Sequence, residues 1–305
     1  VLILSSDWSV IVNASICDSK GYDVFINNPC DPFGSKHVYG EILLKLPFVT
    51  LYPDFYYLVV PIIIGILFIY TVVSFFSFGN SKQYYWLSFF YILSTPFILA
   101  LERTNIDILI FLFIVLIARN KNTFMNHAMI VVTSISKFYP ICLSIVFFFK
   151  KDIKKIIINL SIILSIIFLI LFFQKENLIK IFNNQKQFSG NGIYEFSFLG
   201  LLESLQEFNI VLIFLILIAF LFIIFFYKKD FFYNQGALQL FILDIFENKL
   251  YILSSITIVL CYFLFSNFLY REIFFLGLIP WILKNEKKII GNNFLSFYLY
   301  FLTFK

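Results

Sequence analysis

The residues with most to explain are ionisable side chains that interrupt long apolar runs. Three short motifs qualify: Glu102-Arg103-Thr104-Asn105-Ile106-Asp107, Ser136-Lys137-Phe138-Tyr139-Pro140 and Tyr270-Arg271-Glu272. A charge placed at membrane depth costs about 2.5–3.5 kcal/mol on insertion scales, so such residues usually mark a pathway or a site. Arg103, Lys137 and Arg271 are cations suited to an anionic ligand reached from the bilayer, such as a lipid phosphate or diphosphate. A plainer reading competes with this one. Glu102 with Arg103, Asp107 with Lys137, and Arg271 with Glu272 would simply neutralise each other at helix ends.

The other chemistry lies in the acids of the first polar stretch, Asp7, Asp18, Asp23, Asp31, Glu41 and Asp54. One carboxylate could serve as general base, taking a proton from an acceptor hydroxyl during displacement at a sugar carbon. Position favours Asp7, which follows the apolar stub Val1-Leu2-Ile3-Leu4 and would sit at the mouth of a membrane cavity. Asp18, Asp23 and Asp31 belong to a polar loop free to drift into solvent, and Asp23 and Asp31 are the rival candidates. Signatures of soluble enzymes are missing: the chain has no GxGxxG, GxxxxGK[ST], HExxH or CxxC. With His37 and His127 as the only histidines, no metal site and no cofactor are expected.

The elements that must hold these residues are apolar. Of 305 residues, 61% are hydrophobic and 13% are charged, against about 25% charged in ordinary soluble domains. The net charge of +5 comes from basic clusters between apolar runs, which act as topology signals, so no nucleic-acid partner is expected. The apolar runs fall at about 56–78, 84–101, 106–118, 125–149, 156–173, 209–227, 250–270, 272–283 and 294–304. The fold expected is therefore all-α, a polytopic transmembrane bundle with about 9–10 membrane segments. Residues 5–55 and 174–208 are its first and second extracytoplasmic loops, and both chain ends read as cut off beside or inside a helix. Cys17 and Cys30 in the first loop leave a disulfide open as a possibility.

Lysine placement orients the bundle. A single helix over 125–149 would put Lys150, Lys151, Lys154 and Lys155 on the side opposite Arg119 and Lys121, against the positive-inside rule. Lys137 and the helix-disfavouring Pro140 resolve the conflict by breaking that run into two short helices that meet at an outward turn. Each arm of about 12 residues then spans roughly 18 Å, short of a ~30 Å hydrocarbon core. Lys137 accordingly lies below the outer surface, in a protein-lined or wet cavity. Thr104 and Asn122 fall on opposite sides of the membrane. Arg103 and Lys137 return to the same depth and come close together, with Asp107 placed to pair with Lys137.

The sequence Glu-Arg-Thr-Asn-Ile-Asp-Ile-Leu-Ile over 102–110, followed by Ser136-Lys137-Phe138-Tyr139-Pro140, resembles one family of membrane enzymes. That family is the bacterial polyprenyl-phosphate-mannose-dependent α-mannosyltransferase-like branch of the GT-C glycosyltransferases. Asp7-Trp8, Val38-Tyr39-Gly40 and Leu46-Pro47-Phe48 are similar to its first outer loop, and the likeness covers about residues 5–150. Thr104 stands where the family usually carries a small glycine. The resemblance implies a polyprenyl-phosphate sugar donor, an inverting reaction and an essential aspartate just after the first helix, which maps onto Asp7.

The expectation is then an integral membrane hexosyltransferase at a bacterial inner membrane, with its site on the extracytoplasmic face. It moves a mannose-like sugar to a lipid, glycan or protein acceptor. Asp7 is the base, while Arg103, Lys137 and Arg271 hold the phosphate. Glu102, Asn105, Asp107 and Tyr139 line the substrate site. Membrane lipids are further partners, and a lipid or polysaccharide transporter without catalysis is the alternative.

Overall fold

The computed structural model describes residues 6–76, 91–137, 139–149, 153–173, 176–177, 179–180, 246–264 and 269–289. The expected spans 209–227 and 294–304, and nearly all of the loop 174–208, lie outside them. Among the described residues every regular element is helical, so the all-α class holds. One of these helices, Phe55–Phe75, is long and apolar enough to cross a membrane.

Three boundaries differ from expectation. The stretch 5–55 is not a plain loop, because Ser6–Ser19 forms a helix of 14 residues. Trp8, Ile11, Val12 and Ser15 are buried along one stripe of it, a spacing of three and four that a helix turns into a single face, and Asn13, Ala14 and Cys17 are buried on its other sides. The apolar run 84–101 is not one helix either. A turn at Leu93-Ser94 restarts the chain as the helix Thr95–Arg103, with Pro96 in its first turn, where the missing N–H has no partner to lose. The third difference is the arm after the Lys137 break. Tyr139–Phe149 is a 3-10 helix of 11 residues, long for that conformation; at about 2.0 Å per residue it reaches roughly 22 Å.

The break itself lies at Lys137, as expected. The helix Thr123–Ser136 stops at Lys137, whose backbone is extended at φ −144 and ψ 145. The His127 ring stacks on Phe147 at 4.4 Å, so the start of one arm meets the end of the other and the two run antiparallel. Asn105 and Asn122 cap the helices Ile106–Arg119 and Thr123–Ser136 by accepting backbone N–H bonds from Asp107 and from Phe124 and Met125. Each such cap contributes about 1 kcal/mol.

Phe111 is the centre of the apolar core. Its ring lies 5.7 Å from Phe68, 6.0 Å from Phe75 and 6.4 Å from Phe274. Phe68 also stacks on Phe97 at 4.8 Å, and Phe274 meets Tyr139 at 6.0 Å. These contacts join five helices, including the arm after the Lys137 break, each worth about 0.5–1.5 kcal/mol beyond the area it buries. The helix Phe246–Leu264 closes the core against the 3-10 helices Leu269–Leu278 and Tyr139–Phe149.

Residues 20–54 fold back over the bundle and are pinned there. Cys17 and Cys30 are joined by a disulfide with Cα atoms 5.7 Å apart, which a chain-entropy model credits with about 3 kcal/mol for a loop of this size. The Gly40 N–H donates to the Ser136 carbonyl at 3.0 Å. A Cβ at Gly40 would stand 1.5 Å from the Ile135 carbonyl oxygen, so only glycine fits. Gly65 is the control, since a Cβ there meets only the Leu101 side chain at 3.6 Å. Gly40→Ala should therefore lower the thermal midpoint in detergent sharply or abolish folding. Gly65→Ala should leave stability unchanged or raise it by the ~0.5–1 kcal/mol that alanine gains inside a helix.

Candidate functional site

The site is assembled around a junction of two helices. The helix Thr95–Arg103 ends at Thr104, which adopts the left-handed conformation at φ 45 and ψ 50. A β-branched residue rarely tolerates that region. Its hydroxyl and its N–H both donate to the Leu101 carbonyl, each at 3.1 Å. The sharp reversal sends Arg103 and Asn105 to the same neighbour. Asp7, in the first turn of the Ser6–Ser19 helix, receives the Asn105 amide at 2.5 Å on one oxygen and faces the Arg103 guanidinium at 3.5 Å on the other.

Asn105 is the shared member of this arrangement. Its amide nitrogen donates to Asp7. Its carbonyl oxygen accepts the Asp107 N–H at 2.9 Å and the Lys137 ammonium at 3.4 Å. Lys137 in turn donates to Asp107 at 2.5 Å, and the Tyr139 hydroxyl donates to the same carboxylate oxygen at 2.6 Å. The ammonium also lies over the Tyr39 and Tyr139 rings, at 5.3 and 6.0 Å, a placement that favours a cation.

The two cations differ in availability. The Lys137 side chain is 12% exposed and Asp107 fully buried, whereas Arg103 is 43% exposed with a long pairing distance to Asp7. Arg103 keeps most of its guanidinium donors for a ligand; Lys137 is committed to the protein. Both cations flank the Asp7–Asn105 pair, so they lie close together as expected. Arg271 is placed only by its backbone, in the 3-10 helix Leu269–Leu278 that packs against Thr95–Arg103; its side chain lies outside the described atoms. Glu102 is exposed, and the ion pair of Arg103 is with Asp7.

Electrostatics single out Asp7. Burial pushes its carboxyl above the usual aspartate value, against the pull of the Asn105 hydrogen bond and of the Arg103 and Lys137 charges. The rival acids have other surroundings. Asp23 is exposed, accepting the Phe25 N–H at 3.2 Å and pairing with Lys180 at 2.6 Å. Asp31 does not drift in solvent: it is buried, and it accepts the Phe33 and Ser35 N–H groups on one oxygen and the Asn13 amide on the other. Asp18 pairs with Lys45 at 2.7 Å.

Tyr39 and Gly40 contribute to the site without having been singled out as site residues. They carry Lys137 from the far side, and a buried cluster holds them, with the His37 ring 5.3 Å from Phe25 and 5.8 Å from Tyr39. Burial lowers the His37 pKa to about 4, so this support stays neutral near pH 7. Among the described residues no group of three or more His, Cys, Asp or Glu converges as a metal-ligand set.

The strain at Thr104 is testable by itself. Thr104→Gly relieves an unfavourable φ and should raise stability by about 1 kcal/mol, read as a higher unfolding midpoint in detergent. A lower midpoint would mean that the Thr104 hydroxyl bond to Leu101 outweighs the strain. No protein-family model matches the chain, and neither curated proteins nor solved structures give a significant match.

Proposed function

We propose that the chain is a polytopic membrane glycosyltransferase that moves a mannose-like hexose from a polyprenyl-phosphate donor to a lipid, glycan or protein acceptor. The observation that carries this reading is the placement of Asp7. It is a mostly buried carboxylate with a raised pKa, fixed between the exposed guanidinium of Arg103 and the amide of Asn105. A base needs such a pKa to act near neutral pH, and a leaving phosphate needs a cation within a few ångström.

The reaction is a single displacement. The acceptor oxygen bonds to the anomeric carbon while the bond from that carbon to the phosphate oxygen breaks. The acceptor proton passes to Asp7, and the phosphate leaves with the electron pair, its new charge met by Arg103. Arg271 is the second candidate for the phosphate, since its helix packs beside that of Arg103. Lys137 has a different part in this scheme: held by Asp107, it fixes Asn105, which aims Asp7. The disulfide Cys17–Cys30 supports an extracytoplasmic site, because such bonds persist in oxidising compartments.

Membranes containing the chain, incubated with radiolabelled polyprenyl-phosphate sugars, should transfer label to endogenous acceptors. Asp7→Asn should reduce that transfer by about 10²-fold or more while donor binding survives. Because the carboxyl must be ionised, activity should fall as pH drops through its pKa. That acid limb should lie above the ordinary 3.8 and disappear in Asp7→Asn. Full activity in Asp7→Asn would remove the base assignment. Lipid movement across the membrane without any transfer would favour the transporter.

Arg103→Ala should raise the donor KM by roughly 10-fold or more and shift the acid limb upward, since it removes a charge that lowers the Asp7 pKa. Lys137→Ala should act mainly through kcat. If the two substitutions raise KM equally, Lys137 also touches the phosphate.

A further inference from the structure

Residues 47–56, between the pinned loop and the long apolar helix, expose more hydrophobic surface than a water-facing segment should. Phe48 is 71% exposed, Leu51 68%, Tyr52 64% and Phe55 47%. Pro47, Phe48, Tyr52, Phe55 and Tyr56 together line an open apolar cavity of about 300 Å³. The patch continues without interruption into the outer surface of the Phe55–Phe75 helix, where Leu58, Ile62, Ile66 and Tyr70 are also exposed.

The backbone holds the patch in place at a cost. Phe48 has φ 56, the left-handed region that an aromatic L-residue seldom occupies. The Leu51 and Tyr52 N–H groups both donate to its carbonyl at 3.0 Å, closing a turn that sends the ring outward. The Tyr56 hydroxyl donates to the Pro47 carbonyl at 2.6 Å and locks the turn to the helix start. Strain spent on exposing a phenyl ring gains nothing in water. It gains a great deal at a bilayer boundary, where aromatic rings at the end of an apolar helix bury their faces among headgroups and upper acyl chains.

We propose that residues 47–56 form an interfacial wedge seated in the leaflet that meets the N-terminal end of the Phe55–Phe75 helix. Its partner is the lipid surface itself. The inference rests on that helix spanning the membrane and is independent of any transfer reaction. The wedge also sets the depth of the site, because the Trp8 indole N–H donates to the Tyr56 carbonyl at 2.9 Å. Trp8 follows Asp7 directly in the Ser6–Ser19 helix, so the aromatic patch and the candidate base keep a fixed separation.

The test is nitroxide accessibility on the full chain in phosphatidylglycerol–phosphatidylethanolamine bilayers. Labels are placed by Phe48→Cys, Leu51→Cys and Tyr52→Cys, with Phe33→Cys on the exposed loop tip and Ile62→Cys on the helix as references. The parent protein gives the labelling blank, since Cys142 and Cys261 are buried and Cys17 and Cys30 are bonded. Labels at 48, 51 and 52 should be relaxed by oxygen and shielded from a soluble nickel chelate, at a depth between those at 62 and 33. Leu51→Cys and Tyr52→Cys carry the result if Phe48→Cys does not fold. Nickel accessibility at 51 and 52 equal to that at 33 would overturn the wedge. If the label at 62 stayed lipid-facing, the spanning helix would survive; if 62 were nickel-accessible too, both would fall.

Discussion

The arrangement depends on one side chain, the amide of Asn105. It donates to Asp7 and accepts from Asp107 and Lys137, and it caps the helix that carries Asp107. An asparagine is suited to this because its two ends have opposite hydrogen-bonding character, so it can join an anion to a cation without adding charge. Without that bridge the Asp7–Arg103 pair and the Lys137–Asp107 pair would be two separate neutralised pairs. With it, the orientation of the Asp7 carboxylate is tied to a largely buried ion pair.

Magnitudes explain why the buried pair has the supports it has. A buried ion pair recovers its desolvation cost only with good geometry and additional hydrogen bonds. Lys137 and Asp107 have both: a 2.5 Å contact, the Tyr139 hydroxyl, the Asn105 carbonyl and two aromatic rings around the ammonium. The covering loop belongs to the same support. The disulfide fixes its base to the Ser6–Ser19 helix, and Gly40 fits against Ile135 and Ser136 so that Tyr39 can lie over Lys137. The strained Thr104 then directs Arg103 and Asn105 to the same carboxylate.

Part of this was legible in the sequence. The lysine distribution, with Lys137 and Pro140 inside an apolar run, pointed to the break at 137, and the matched lengths of the helices joining Arg103 to Lys137 pointed to the pairing with Asp107. The Ser6–Ser19 helix was missed because polar residues sit among its core positions: Asn13 and Ser15 are buried along with Ile11 and Val12. Trp8, Ile11, Val12 and Ser15 do repeat at helical spacing, and that signal was available. The Asn105–Asp7 bond joins residues 98 apart, and no local pattern encodes such a contact. Nor could Gly40 be read as a point of close approach before the element it approaches was known. The left-handed turn at Thr104 was hidden for the opposite reason, because the residue present disfavours the conformation adopted.

The central claim is that burial raises the pKa of Asp7 while the Asn105 bond holds it down. It is tested most directly by following the Asp7 carboxyl stretch in pH-dependent infrared difference spectra, identified by its loss in Asp7→Asn. The carboxyl should titrate above the ordinary aspartate value of 3.8. Asn105→Ser can still cap the helix but is too short to bridge, so it removes a bond that lowers the pKa and should move the titration further up. A carboxyl that titrates at the ordinary value, and is indifferent to Asn105→Ser, would contradict the account.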